Sequence, residues 1–213
     1  MGRRTTAYVC GLVLLAGGGV ILGGDAYLGA KAVLARVLIR DAFHRHLSDG
    51  ETHRPWAWAD MAPVARIELP DRNIRRYVLT GATGESLAFD IGHIHGTSLP
   101  NRPGNCVLTG HRDGRFAFLE DLAAGETLVV RTFGSTRRYV VESRTVVQAG
   151  DTTVLDNDAD RLTLVTCWPF DGLTPSPWRY VVSCRPADRL GYARENRGGS
   201  PAGQFPVAAH RGG

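Results

Sequence analysis

Between residues 54 and 186 the chain is a succession of short β-branched runs, none long enough or suitably periodic for an amphipathic helix. The runs are VARIEL, RYVLTG, NCVLTG, ETLVVRTF, RRYVVESRTVVQ, RLTLVTC and RYVVSC, and Gly, Pro, Asp and Asn punctuate the gaps between them. β-branched and aromatic side chains suit a pleated, half-buried surface, whereas the punctuating residues favour turns. Seven or eight strands in about 125 residues, with no long helix among them, leave two architectures: a closed or nearly closed barrel, or a sandwich. The expected fold class is all-β, with helices confined to short pieces in loops.

The flanks differ from this middle. Arg3 and Arg4 precede a run from Ala7 to Gly24 that carries no charge. As a helix this run would be about 27 Å long, close to the roughly 30 Å of a bilayer core. A cleaved signal peptide, the alternative, has a shorter apolar stretch of about 7–15 residues and a small-x-small cleavage site. The run exceeds that length and no clean site follows, so residues 1–24 are read as an uncleaved N-terminal transmembrane helix. The paired arginines place the N-terminus in the cytoplasm and everything after Asp25 outside. Residues 25–53 read as a helical stalk. Leu28, Val33, Leu34, Val37 and Leu38 follow a 3.6-residue repeat, and Lys31, Arg36 and Arg40 take the other side. The segment SDGETHRPWAWADMAP marks a boundary, residues 54–186 form the folded domain, and the Gly/Pro/Ala-rich stretch 187–213 reads as a disordered tail.

Composition narrows the function. The chain is 43% hydrophobic and 22% charged, as a globular protein is. Its net charge of +4 comes almost wholly from arginine, with Lys31 the only lysine. The arginines are scattered among acids, with no basic stripe and no interleaved aromatics, which argues against nucleic acid as a partner. Four cysteines, Cys10, Cys106, Cys167 and Cys184, show no metal-type spacing and are too few for a disulfide framework in 213 residues. Cys10 lies inside the apolar run.

Three reactive side chains fall at strand ends. His111 follows NCVLTG, Cys167 closes RLTLVTC, and Arg179 opens RYVVSC. Strand ends on a rigid scaffold let residues distant in sequence converge. A cysteine attacks a carbonyl as its thiolate, and a nearby imidazole takes up its proton or stabilises it as imidazolium. Arginine stays protonated and offers five donors to a carbonyl or a developing oxyanion. Together they make a set for acyl transfer: nucleophile, acid/base and charge stabiliser. In TLVTCWPF, Pro169 should end the strand and Trp168 should wall the site, leaving the thiol at a rim. A packed core cysteine, a turn histidine and a surface arginine are the blander readings of the same residues.

The segment Leu164-Val165-Thr166-Cys167 resembles the Leu-x-Thr-Cys signature of sortases. LTGHRD resembles the Thr/Ala-Gly-His segment of that family, and WRYVV the strand that carries its arginine. The three occur in the family's order over residues 54–185. The long RPWAWADMAPVARIELP segment and the GHIHGTSLPNRPGN loop resemble the Gram-negative subgroup, class GN. The resemblance implies an eight-stranded sortase-like β-barrel and a cysteine transpeptidase without a cofactor, anchored by a single pass in the inner (cytoplasmic) membrane with its catalytic domain extracytoplasmic or periplasmic. It implies cleavage of a C-terminal LPxTG-like (Leu-Pro-x-Thr-Gly) sorting signal on a secreted partner, after the threonine. The acyl chain would then pass through a thioester to an amine acceptor. Cys167 would be the nucleophile, His111 the acid/base and Arg179 the substrate and oxyanion stabiliser, with Thr166 shaping the site.

Other features remain open on sequence. His93 and His95 form a His-x-His pair that lacks a third ligand at suitable spacing, so no metal is expected. Asp113 either orients His111 or is a turn residue. Cys106 and Cys184 form a disulfide or stay as buried thiols. Two further functions compete with transpeptidation: a cysteine peptidase that releases its product to water, and a non-catalytic membrane-anchored adaptor.

Overall fold

The computed structural model describes residues 29–172 and 174–187, together with Gly2, Tyr8 and Tyr27. The expected anchor, apart from Gly2 and Tyr8, and the expected tail from residue 188 lie outside the described residues. Among the described residues no helix is long and apolar enough to cross a membrane.

The β-branched runs form the strands that their composition predicts. In chain order these are β1 (Pro63–Leu69), β2 (Ile74–Thr80), β3 (Ile91–His93), β4 (Asn105–Thr109), β5 (Thr127–Thr132), β6 (Ser135–Gln148), β7 (Arg161–Trp168) and β8 (Trp178–Pro186). They close into one barrel in the order β1-β2-β3-β4-β7-β8-β6-β5, with β5 pairing back onto β1. Closure removes the open edges that a sandwich would leave. Two pairs are parallel, β2 with β3 and β4 with β7, and both need a crossover. The first crossover carries the short helix α2 (Gly84–Phe89), whose N-cap Thr83 accepts a hydrogen bond from the Ser86 amide at 3.3 Å. The second crossover is the β5–β6 hairpin itself.

Alternate residues of the strands fill the barrel. Ile67, Val78, Leu108, Leu128, Leu164 and Val182 meet inside it with Phe116 and Leu119 from the β4–β5 connection. β7 differs from a one-sided strand because Leu162 to Thr166 are all buried. Its outer face is covered by the β6–β7 connection, where the 3₁₀ turn Thr152–Leu155 packs Val154 and Leu155 against Val107, Val165 and Val181. A strand buried on both faces reads as a continuous apolar run, which is why RLTLVTC lacks alternation.

Ahead of the barrel, helix α1 covers residues 29–49. The face it buries is not the one that its large aliphatics suggest. Ala35, Ile39, Ala42 and Phe43 are buried, whereas Val33, Leu34 and Val37 are exposed. The two alanines let the helix approach closely. Ile39 packs with Met61 and Leu79, and Phe43 meets Tyr77 edge-on at 5.4 Å with the Arg66 guanidinium over its ring. The stalk is therefore docked on the barrel along residues 35–43.

Candidate active site

The register of three adjacent strands brings the reactive residues into one row. β4 and β7 pair in parallel from Asn105↔Arg161 to Thr109↔Val165. His111 lies two residues past the last of these pairs, as Cys167 lies two residues past Val165. Two hydrogen bonds carry the pairing past the strand end: the Gly110 amide donates to the Val165 carbonyl at 3.4 Å, and the buried Thr166 hydroxyl donates to the Gly110 carbonyl at 2.7 Å. On the other side, β7 and β8 pair Cys167 directly with Arg179. Neighbouring strands lie about 4.8 Å apart, so the backbone row from His111 to Arg179 spans roughly 10 Å.

Cys167 and Arg179 belong to the outer face of the barrel. Side chains alternate along a strand, and Cys167 follows Val165 by two residues as Arg179 precedes Val181 by two. Val165 and Val181 pack outside the barrel with Val107. Cys167 and Arg179 are partly buried and His111 is exposed. The same alternation corrects the expectation for Trp168. It points to the inner face, where it stacks on Tyr180 at 5.7 Å and meets Phe170 edge-on at 5.9 Å. Trp168 thus plugs the end of the barrel under the thiol and does not wall the site.

Two arginines hold the rim of the site to the β7–β8 connection. Arg179 Nη1 donates to the carbonyls of Ser176 and Trp178, each at 2.9 Å. Arg112, next to His111, donates through Nη2 to the carbonyls of Gly172 and Thr174. A Cβ on Gly172 would lie within 3.0–3.2 Å of the Arg112 guanidinium, so a glycine makes room for this contact. Nothing in the sequence pattern singles out Arg112.

A cleft runs from Arg179 along the outer face. Its volume is about 210 Å³, and Ile94, Val147, Val154, Leu155 and Val165 give it an apolar floor and roof, with Thr109 at the His111 end. The sequence does not announce these lining residues, because the β6–β7 connection carries no strand or helix periodicity of its own. Its position depends on Asn105, which is fully buried. The Asn105 side-chain amide donates to the carbonyls of Val154 and Asp156 at 2.9 and 3.0 Å, and its Oδ1 accepts from the Thr163 hydroxyl at 2.7 Å.

The remaining sequence candidates separate cleanly. His93 is buried on β3, and its Nε2 faces the Ser98 carbonyl at 3.0 Å. A carbonyl only accepts, so Nε2 carries the proton. Burial holds the His93 pKa below its usual value. His95 is exposed, and among the described residues no group of three or more His, Cys, Asp and Glu is arranged to hold a metal ion. Asp113 is exposed, and among the described residues no hydrogen bond joins it to His111. Cys106 and Cys184 are free and buried. Both pair in register with Leu162, which stands between them. Two strand spacings, roughly 10 Å, separate their backbones, beyond the reach of a disulfide. Burial pushes both thiols up to about 12.

A family model, the Sortase domain, matches residues 67–187, more than half of the chain. The chain belongs to the sortase family. Sortases are cysteine transpeptidases, and the eight-stranded closed barrel is their fold. Over 119 residues this sortase is 29% identical to sortase D of Bacillus subtilis, a match that takes in 54% of this chain and 60% of that protein. Less than two thirds of that relative's length is therefore spanned. Among solved structures, a Clostridium perfringens sortase D5 transpeptidase superposes with a TM-score of 0.60 at 20% identity, over 73% of this chain and 99% of that one. Sortase C-1 of Actinomyces oris superposes with a TM-score of 0.54 at 27% identity, over 72% and 98%.

Proposed function

We propose that this sortase is a membrane-anchored transpeptidase that cleaves an LPxTG-like sorting signal between Thr and Gly and passes the acyl chain to an amine. The observation that carries the reading is the pairing of Cys167 with Arg179 on β7 and β8, with His111 two residues beyond the last β4–β7 pair, Thr109↔Val165. In the reaction, the Cys167 thiolate attacks the threonine carbonyl carbon and a C–S bond forms. Arg179 donates hydrogen bonds to the oxygen as negative charge develops on it. The C–N bond to glycine breaks, and imidazolium His111 gives its proton to the leaving amine. The acceptor amine then attacks the thioester, His111 takes its proton, and the thiolate leaves. Thr166 is a positioning residue in this scheme, because its hydroxyl fixes the carbonyl immediately before His111. The apolar cleft beside Arg179 suits the Leu and Pro side chains of such a signal.

The partner is a secreted protein that bears the signal. An anchor over residues 1–24 would set enzyme and tethered substrate on one membrane surface, raising their effective concentration. Class GN membership rests on the resemblance of the Trp56–Trp58 segment and the β3–β4 loop alone.

The test mixes residues 27–187 with Leu-Pro-x-Thr-Gly peptides and hydroxylamine, followed by mass spectrometry. A threonyl hydroxamate is expected from the wild type and none from Cys167→Ala. Release of the free threonine acid alone, with hydroxylamine present, would identify a peptidase. A Cys167 inert to alkylation and no product would leave the adaptor reading.

A further inference from the structure

The cleft beside Arg179 does not end at the apolar chamber. A second cavity of about 190 Å³ follows it along the same face of β6, β7 and β8, and the two share Val147 and Val154. The chemistry changes at that boundary. Thr145, Thr153, Thr163 and Ser183 line the second chamber, and Arg161 stands at its far end. The register explains the alignment. Cys167, Val165, Thr163 and Arg161 succeed one another on the outer face of β7, and Arg179, Val181 and Ser183 do so on β8. On β6 the same face carries Val147 opposite Arg179 and Thr145 opposite Val181.

Resting on the sortase reading above, we propose that this second chamber is a binding subsite for the two substrate residues that precede the sorting signal, and that it takes amide or hydroxyl side chains there. The argument is one of distance and direction. The part of the substrate that becomes the acyl chain lies N-terminal to the scissile bond. Beyond Cys167 the strand stops at Pro169, so the open groove leads back along β7 towards Arg161. An extended chain advances about 3.3 Å per residue. The leucine of the signal, three residues before the cleaved threonine, then lies about 10 Å from Cys167, in the apolar chamber. The two residues before it lie about 13–17 Å away, from Thr163 towards Arg161, which stands about 20 Å along the strand.

The polarity of the chamber selects among side chains. The Thr163 hydroxyl is committed to Asn105, and that of Thr153 to Asp151. Among the described residues, the Thr145 and Ser183 hydroxyls have no hydrogen bond within the protein. Arg161 already pairs with Asp158, so its charge is matched and an acidic side chain gains little there. An aliphatic side chain would strip water from the two hydroxyls without replacing its hydrogen bonds, whereas a side chain that both donates and accepts would satisfy them.

Binding to the Cys167→Ala chain tests this without turnover. Two fluorescent peptides share the signal and differ only in the two preceding residues, Gln-Thr in one and Leu-Leu in the other. By anisotropy the Gln-Thr peptide is expected to bind about 5-fold more tightly, as one net hydrogen bond provides. Ser183→Val and Thr145→Val in the same background should reduce the ratio to below about 2-fold. Equal affinities, no measurable binding of either peptide, or a ratio that survives both substitutions would overturn the proposal. The wild type's conversion of the same peptides to hydroxamate is read separately. No product with the affinity ratio intact would sink the catalytic reading and leave the subsite standing.

Discussion

Three cysteines on three strands of known register, β4, β7 and β8, behave differently because strand alternation points them in different directions. Cys106 and Cys184 face the barrel interior, and burial raises both pKa values to about 12. Below that pH they stay protonated, and a protonated thiol is a poor nucleophile. Cys167 is on the outer face and only partly buried. Iodoacetamide at pH 8 is therefore expected to label the Cys167 peptide while leaving those of Cys106 and Cys184 unmodified. In guanidinium chloride all three should react, and peptide mapping by mass spectrometry reads both states. Labelling of Cys106 in the folded chain at the Cys167 rate would mean that the barrel opens at β4. That Cys167, His111 and Arg179 fall at or just past strand ends was legible in the sequence, since β-branched runs mark the strands that they flank. The direction of Trp168 was not, because the face a residue takes at a strand's last position depends on the register of the whole strand. The Thr166 hydroxyl was legible only as a residue that shapes the site; its bond to Gly110 belongs to the pairing of β4 with β7.

At the scale of elements, the β6–β7 connection is the piece that turns an exposed sheet face into a cleft. Val154 and Leu155 seat it on Val107, Val165 and Val181, and amides fasten the rest. Asn157 Oδ1 accepts from the Asn105 amide at 2.6 Å and from the Ser98 hydroxyl at 3.2 Å, while the Asn105 side chain holds Val154 and Asp156. Gly104 has φ +101°, and a Cβ there would lie 2.2 Å from Asn157 Oδ1, so glycine is required for this contact. Replacing Asn105 by Ala leaves two carbonyls and the Thr163 hydroxyl without their partner inside the protein. Each such loss costs about 1–3 kcal/mol. Asn105→Ala is expected to raise KM for a sorting peptide by about 10-fold or more with a smaller change in kcat, since the connection walls the cleft and does not touch the reacting atoms. Hydrogen exchange of residues 150–160 should accelerate in the same variant. A fall in kcat alone, with KM and exchange unchanged, would contradict this account. Seven of the eight strands were readable as β-branched runs. β3 was not, because three residues, Ile-Gly-His, carry no period, and its pairing with β2 and β4 is what makes it a strand.

For the whole molecule, the question is how much of the chain the barrel needs. Closure was legible only as one of two architectures, since alternating strands serve a sandwich as well as a barrel. The parallel pairing of β4 with β7 is a long-range contact that no local pattern encodes. α1 poses the same problem in another form. Its large aliphatics suggested one face, and the structure buries another, built on Ala35, Ile39, Ala42 and Phe43. What decides is the complementary surface: Met61, Leu79 and Tyr77 on the barrel side offer a shallow seat that small residues can approach. This makes α1 an integral part of the folded unit and not a spacer. Removing it exposes that seat and loses the burial of Ile39 and Phe43, each about 1.5–3 kcal/mol. A chain of residues 54–187 is expected to unfold at a Tm about 10 °C below that of residues 27–187, on the scaling of a few degrees per kcal/mol for a domain of this size. Thermal unfolding followed by circular dichroism compares the two. An equal Tm would mean that α1 docks without contributing, and that the stalk is free to set the height of the site independently of the barrel. A lowered Tm, with hydroxamate formation retained at low temperature, would mean that the helix fixes the orientation of the barrel relative to whatever residues 1–24 are attached to.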